Sequence, residues 1–110
     1  GYSLPRFVDL VSTNAAKIMG LYPRKGAIAV GADADICVLD RGLRRVITAA
    51  DLHETDYTPW EGWEAHAWPC LTLLRGKVMM EDGALLGTQA DGQWLPRQID
   101  PAIIAGPVAL

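Results

Sequence analysis

A chain of 110 residues, half of them hydrophobic, is sized for one small domain or a piece of a larger one, with ample apolar material for a core. That composition excludes intrinsic disorder, and a net charge of −3 with only short basic clusters (Arg24-Lys25 and Arg41 to Arg45) excludes a nucleic-acid footprint or a membrane patch. No apolar run approaches the roughly 18 residues of a spanning helix, and no signal-peptide pattern is present, so a soluble, cytoplasmic chain is expected.

The first element starts at Ser3. Its hydroxyl suits an N-cap, and Pro5 suits a first helical turn, where no N–H is needed. Leu4, Phe7, Val8 and Val11 recur at spacings of three and four and share one helical face. Thr13-Asn14 reads as an interruption, with either side chain capping a second short helix, Ala15–Met19. Gly20 then stands where a left-handed residue ends a helix, and Pro23 lies just beyond. Two consecutive helical pieces are expected.

From Lys25 the period changes to two. Ala27, Ala29 and Gly31 alternate with Ile28 and Val30, and after Gly31-Ala-Asp33 the run Ala34–Leu39 is β-prone, so two short strands joined by a tight turn are expected. Arg45–Thr48 is a further candidate strand and Ala49–His53 one helical turn. Residues 54 to 68 have no period and carry Trp60, Trp63 and Trp68, which predicts a loop partly buried by its aromatics. Cys70–Leu74, Lys77–Met80 and Ala84–Leu86 are strands separated by Arg75-Gly76 and by a second turn ending in Asp82-Gly83, a strong hairpin signal. Residues 88 to 98 read as irregular. The tail from Ile99 is apolar but broken by Pro101, Gly106 and Pro107, and is expected to be extended or disordered. The fold class is therefore α+β: short N-terminal helices followed by a mainly antiparallel sheet.

Candidate chemistry is sparse. Cys37 and Cys70 each sit in an apolar run and read as reduced, buried core thiols, which fits a reducing compartment. His53 and His66 lie 13 positions apart and form neither His-x-His nor His-Glu-x-x-His, so both read as surface or loop histidines. Asp33 and Asp35 could offer a hard cation two carboxylates, but the further oxygen ligands of a calcium loop are missing; a turn aspartate beside an exposed strand-start aspartate is the better reading. Ser3 and Ser12 are explained by the helix. Cys70 follows His66 closely, yet burial in an apolar strand would leave its thiol inert. The tryptophans could stack a ligand, but uneven spacing in a loop favours packing. Gly26 and Gly31 follow a helix and precede a strand, the wrong order for a phosphate cradle. No catalytic, cofactor-binding or metal-binding residue is assigned.

Four stretches taken together resemble the cyclic amidohydrolases, hydantoinase and dihydropyrimidinase foremost. They are Phe7–Gly26, Ala27–Asp40, Tyr57-Thr-Pro-Trp-Glu-Gly-Trp63 and Trp68–Gly83. The resemblance implies a TIM-like barrel beside a composite β-sandwich, of which this chain would be the C-terminal part. It divides the chain into a helical segment from the barrel's end at 1–25, a sandwich portion at 26–98 and the tail at 99–110. It also implies two divalent metals, zinc foremost, held by a His-x-His pair, a carbamylated lysine, two further histidines and an aspartate, none of which can be placed here. The expectation is a C-terminal fragment of a hydrolase of cyclic amides or ureides that is not catalytic by itself, its cyclic amide substrate belonging to the full-length parent. The alternative is a non-catalytic β module. A sandwich lacking its other strands leaves edges uncovered, so a homo-oligomer is expected.

Overall fold

The computed structural model describes residues 1–52 and 55–106, in two compact units: Gly1–Asp35 with Leu74–Gly76 and Thr88–Leu110, and Ile36–Leu73 with Lys77–Gly87. The first unit opens with α1 (Leu4–Val8), a π-helical turn (Asp9–Thr13) and α2 (Asn14–Ile18). Ser3 caps α1, its Oγ accepting the Arg6 N–H at 3.4 Å, and Pro5 sits in the first turn.

The expected break at Thr13-Asn14 is absent. Both residues hold helical dihedrals, φ −63° and ψ −50° for Thr13, φ −68° and ψ −38° for Asn14, so the backbone runs on from α1 into α2. The Thr13 hydroxyl does not cap; it donates to the Gly26 carbonyl at 2.8 Å, and the π turn absorbs the irregularity instead. Gly20 ends the helix as expected, with φ +71°. Its N–H reaches the Lys17 carbonyl at 3.1 Å and the Leu21 N–H reaches the Ala16 carbonyl at 2.8 Å, the paired bonds of a Schellman motif. A Cβ at Gly26 (φ +79°) would lie 2.6 Å from Ala16 Cβ, so only glycine lets the chain turn back over α2.

The stretch Ala27–Gly31, expected as a strand, is not one. Alternation makes a strand only where a neighbour completes the ladder, and here the bonds are those of a loop: a turn bond from Ala32 N–H to the Ala29 carbonyl at 3.1 Å, and a closing bond from Asp33 N–H to the Arg24 carbonyl at 2.9 Å. Ile28 and Val30 stand fully exposed. Later in this unit Thr88 and Asp91 form a capping box around a 3₁₀ turn at Gln89–Asp91, and the Gln98 N–H bonds the Gly20 carbonyl at 3.0 Å. Within the tail expected to be extended, Asp100 caps one helical turn, α3 (Pro101–Ala105), by accepting the Ala102 N–H at 2.8 Å. Residues 107 to 110 lie outside the described residues.

The second unit is β-rich. In chain order its strands are β1 (Ile36–Asp40), β2 (Arg45–Val46), β3 (Glu64–Ala65), β4 (Trp68–Leu74), β5 (Lys77–Glu81) and β6 (Ala84–Leu85). A four-stranded sheet has the order β1-β4-β5-β6, with β1 antiparallel to β4 and β6 antiparallel to β5; β2 and β3 form a separate antiparallel pair. Val38 opposes Leu71 and Leu39 opposes Pro69, so Cys70 is the extra residue of a bulge on β4. Both hairpin turns have consecutive residues at positive φ, Arg75 and Gly76 at 48° and 82°, Asp82 and Gly83 at 46° and 84°. These primed turns match the twist of the strands they join, as the Gly pairs predicted. The expected helical turn after Arg45–Thr48 is a 3₁₀ turn, Ala49–Asp51, closed by a Thr48–Asp51 capping box.

Ala16 is the one buried hydrophobic residue among the described residues. Leu4, Phe7, Val8 and Val11 form the predicted helical stripe but face outward, and Val38, Leu39 and Leu85 of the sheet are exposed as well. Among the described residues, the apolar half of the composition does not become a core.

Candidate functional site

Asp33 and Asp35 are not a free pair of carboxylates. They converge on Lys25, whose Nζ lies 2.7 Å from Asp33 Oδ2 and is ion-paired with Asp35 Oδ2. Arg24 Nε adds a bond to Asp33 at 3.0 Å, and Asp35 Oδ1 accepts the Arg75 N–H at 2.8 Å. The Gly76 N–H bonds the Ala34 carbonyl at 3.0 Å beside it. The expected turn and strand-start residues are therefore the acidic half of a clasp around Lys25, a residue that sequence reasoning passed over. Charges eight and ten positions apart, off any helix or strand, leave no periodic signal; only the folded loop brings them together.

The clasp sets its own electrostatics. Partial burial pushes the Lys25 pKa down, but hydrogen bonds to Asp33 and Asp35 and their charges outweigh it, and the net shift is upward. The hydrogen bond from Lys25 is the main reason the Asp33 carboxyl is held below its ordinary value. For Asp35, burial pushes up, and the bonds from Lys25 and the Arg75 N–H more than offset it. A cation placed between these carboxylates would have to displace an ammonium already paired with both. A shallow groove of about 320 Å³ adjoins the clasp, lined by Val11, Ser12, Ala15 and Met19, and the charged groups on its rim are the ones already paired.

The other candidates are held apart. Exposed His66 places Nε2 3.5 Å from Glu64 Oε1, whereas the Cys70 thiol donates to the Val38 carbonyl at 3.5 Å. His53 lies outside the described residues. Both cysteines are free thiols, but neither is buried as expected: Cys37 is exposed on β1, which ends its sheet, and Cys70 is half-buried. The tryptophans also depart from expectation: Trp60 and Trp63 are more than half exposed and do not bury their loop. Its backbone is fixed by polar contacts instead, the Ile47 N–H on the Trp63 carbonyl at 2.8 Å, the Gly62 N–H on the Ile47 carbonyl at 2.9 Å and the Glu61 carboxylate on the Ala49 N–H at 2.8 Å. Trp68 is half-buried and stacks under the Arg45 guanidinium, 4.6 Å from the ring centroid, while Arg45 also pairs with Asp51.

Among the described residues no group of three or more His, Cys, Asp or Glu side chains is placed to hold a metal, and no helix is long and apolar enough to cross a membrane. The two-metal centre implied by the resemblance does not fit the donor set present: the carboxylates nearest to a pair are occupied by Lys25, and His66 is turned to Glu64.

Residues 1–80 match the model of the amidohydrolase family. The chain is 43% identical over 97 residues to a D-hydantoinase of Ralstonia pickettii, covering 87% of this chain and 21% of that protein. It is 46% identical over 94 residues to a dihydropyrimidinase of Rattus norvegicus, covering 84% and 18%. Among solved structures, a D-hydantoinase (dihydropyrimidinase) from Thermus sp. superposes with a TM-score of 0.82 at 45% identity, over 86% of this chain and 21% of that one. The chain thus spans about a fifth of the length of the curated relatives it matches.

Proposed function

This chain belongs to the amidohydrolase family, and on that premise we propose that it is the C-terminal part of a metal-dependent hydrolase that opens cyclic amides or ureides, with hydantoin and dihydropyrimidine rings as the substrate class. The observation that carries this reading is the asymmetry of the match: 87% of this chain aligns with a D-hydantoinase, but only 21% of that protein is used. In this reading two divalent metals, zinc foremost, belong to the remaining four-fifths, and the portion at hand is not catalytic alone. The exposed stripe of α1 agrees with it, since such a face is one that a larger body would cover. A reducing, cytoplasmic compartment suits the two free thiols.

The test is an assay of the purified 110-residue chain, supplied with Zn²⁺ or Mn²⁺, for ring opening of hydantoin and dihydrouracil. No turnover above the metal-only control is expected. Robust turnover that a chelator abolishes would overturn the reading. DNA encoding the residues ahead of Gly1 provides an independent check, in which a His-x-His pair is expected.

A second reading is favoured by the exposed apolar residues of the second unit, Val38, Leu39, Trp63 and Leu85 among them. In it the chain is a non-catalytic β module that forms a homo-oligomer. A stable monomer in light scattering at tens of micromolar (roughly the range for such an interface) would count against it.

A further inference from the structure

We propose that residues 88–105 are a latch: a strap that lifts off the end of α2 and returns as one piece, while the helix and the Arg75-Gly76 turn that anchor it stay formed. The inference rests on neither reading above, since both anchors join residues of this chain. At one anchor the Gln98 N–H donates to the Gly20 carbonyl at 3.0 Å. There the strap backbone passes so close that a Cβ at Gly20 would lie 2.6 Å from the Gln98 carbonyl carbon and 2.7 Å from the Ile99 nitrogen. At the other anchor the Arg75 guanidinium donates to the Asp91 carbonyl.

Each anchor is complete without the strap. Gly20 ends the helix through its own N–H on Lys17 and the Leu21 N–H on Ala16, and its carbonyl takes no part in either bond. The Arg75-Gly76 turn is fixed through its two N–H groups, on the Asp35 carboxylate at 2.8 Å and the Ala34 carbonyl at 3.0 Å, and it is the guanidinium that reaches the strap. The strap is built in the same way. Its first turn is closed by the Thr88–Asp91 box and its last by Asp100 on the Ala102 N–H, both inside it. None of its residues is fully buried; Asp91, Leu95, Ile99 and Ile103 are half-buried and the rest are exposed. Beside the Gly20 seat a groove of about 620 Å³ stays open between residues 21–24 and 96–101, so the seat is narrow. A segment with few buried apolar contacts, on supports that do not need it, opens below the free energy of global unfolding. Gly20 thus has two duties, a φ of +71° for the helix end and a bare backbone for the strap.

The test is amide hydrogen exchange of the 110-residue chain, read at Gln98 for the strap and at Leu21 for the helix end. In the unsubstituted chain Gln98 is expected to be about tenfold less protected than Leu21, and its exchange to be insensitive to low urea where that of Leu21 is not, the mark of a local opening. Gly20→Asn introduces a residue that tolerates the left-handed conformation but sets a Cβ against the strap backbone. Gln98 exchange should rise about tenfold, with Leu21 exchange within roughly twofold of its former rate. Arg75→Asn also tolerates its positive φ and takes the guanidinium away from Asp91. Because the strap moves as one piece, Gln98 at the far anchor should again exchange about tenfold faster. Leu21 accelerating together with Gln98 in Gly20→Asn would show that strap and helix end open together, and Gln98 unmoved in Arg75→Asn would show that the anchors act separately; either result overturns the latch. Where a variant fails to fold, the unsubstituted chain decides: a common urea dependence of Gln98 and Leu21 overturns it too.

Discussion

The two units are held by different devices. The first relies on side chains and close approach: the Lys25 clasp, the Thr13 hydroxyl on the Gly26 carbonyl, and Ala16 lying against Gly26. The second relies on backbone: a ladder of strands, the primed turn at Asp82-Gly83 and the Thr48–Asp51 box. Neither has a buried apolar centre among the described residues. The difference teaches where each unit is vulnerable. A clasp responds to pH and to the loss of one side chain, whereas a ladder responds to the residues that turn it.

The strongest way to sharpen this contrast is Gly26→Ala. The added methyl meets Ala16 Cβ and the positive φ is strained, together about 3 kcal/mol against the first unit. Urea unfolding followed by circular dichroism should show the helical signal lost early while the strand signal persists; simultaneous loss of both would break the distinction.

Lys25→Met should come next, leaving Asp35 without its ammonium and Asp33 with Arg24 alone. A drop of about 5 °C in the melting temperature of the helical signal is expected at pH 7. Its pH dependence follows from the directions of the shifts. The Asp33 and Asp35 values are lowered, so their contribution is complete above the ordinary 3.8 and is lost as pH falls through the lowered values. The Lys25 value is raised, so its contribution is complete below 10.5 and is lost as pH climbs through the raised value. The difference between parent and variant should be widest between those limits and narrow as pH falls through the lowered carboxylate values; a difference that does not vary with pH would mean the clasp is not its source.

Thr13→Ala removes the bond to the Gly26 carbonyl and should cost the first unit about 1 kcal/mol, read as faster amide exchange in α2. The smallest effect belongs to the second unit. Gly83→Ala meets nothing within 4 Å, so only its φ of +84° is penalised, roughly 0.5–1 kcal/mol, with amide exchange in β5 and β6 raised and that in α2 unmoved.

These devices were unequally legible in the sequence. Ser3, Gly20 and the Asp82-Gly83 turn act through their own backbone or nearest neighbours, and each is found in its predicted role. The strand expected at Ala27–Gly31 depended on a partner that no local pattern can supply. Thr13 looked like a cap because capping is what a local reading offers a threonine; its actual acceptor lies 13 residues away. Burial was misjudged at Cys37, Trp60 and Trp63 for a related reason: apolar character says that a residue suits an interior, not that the interior lies in the same chain. The Lys25 clasp was invisible for want of any period linking its members.

The π turn at Asp9–Thr13 carries one residue more than an α-helical path over the same rise would need. At roughly 100° per residue, that spare residue sets the rotational phase of everything after it. It is what aims Ala16 and Thr13 at Gly26 while Ile18 stays outward. A one-codon deletion anywhere in Asp9–Thr13 would restore a regular helix and swing Ala16 away from its glycine, so the length of this stretch is constrained even where its residues are not.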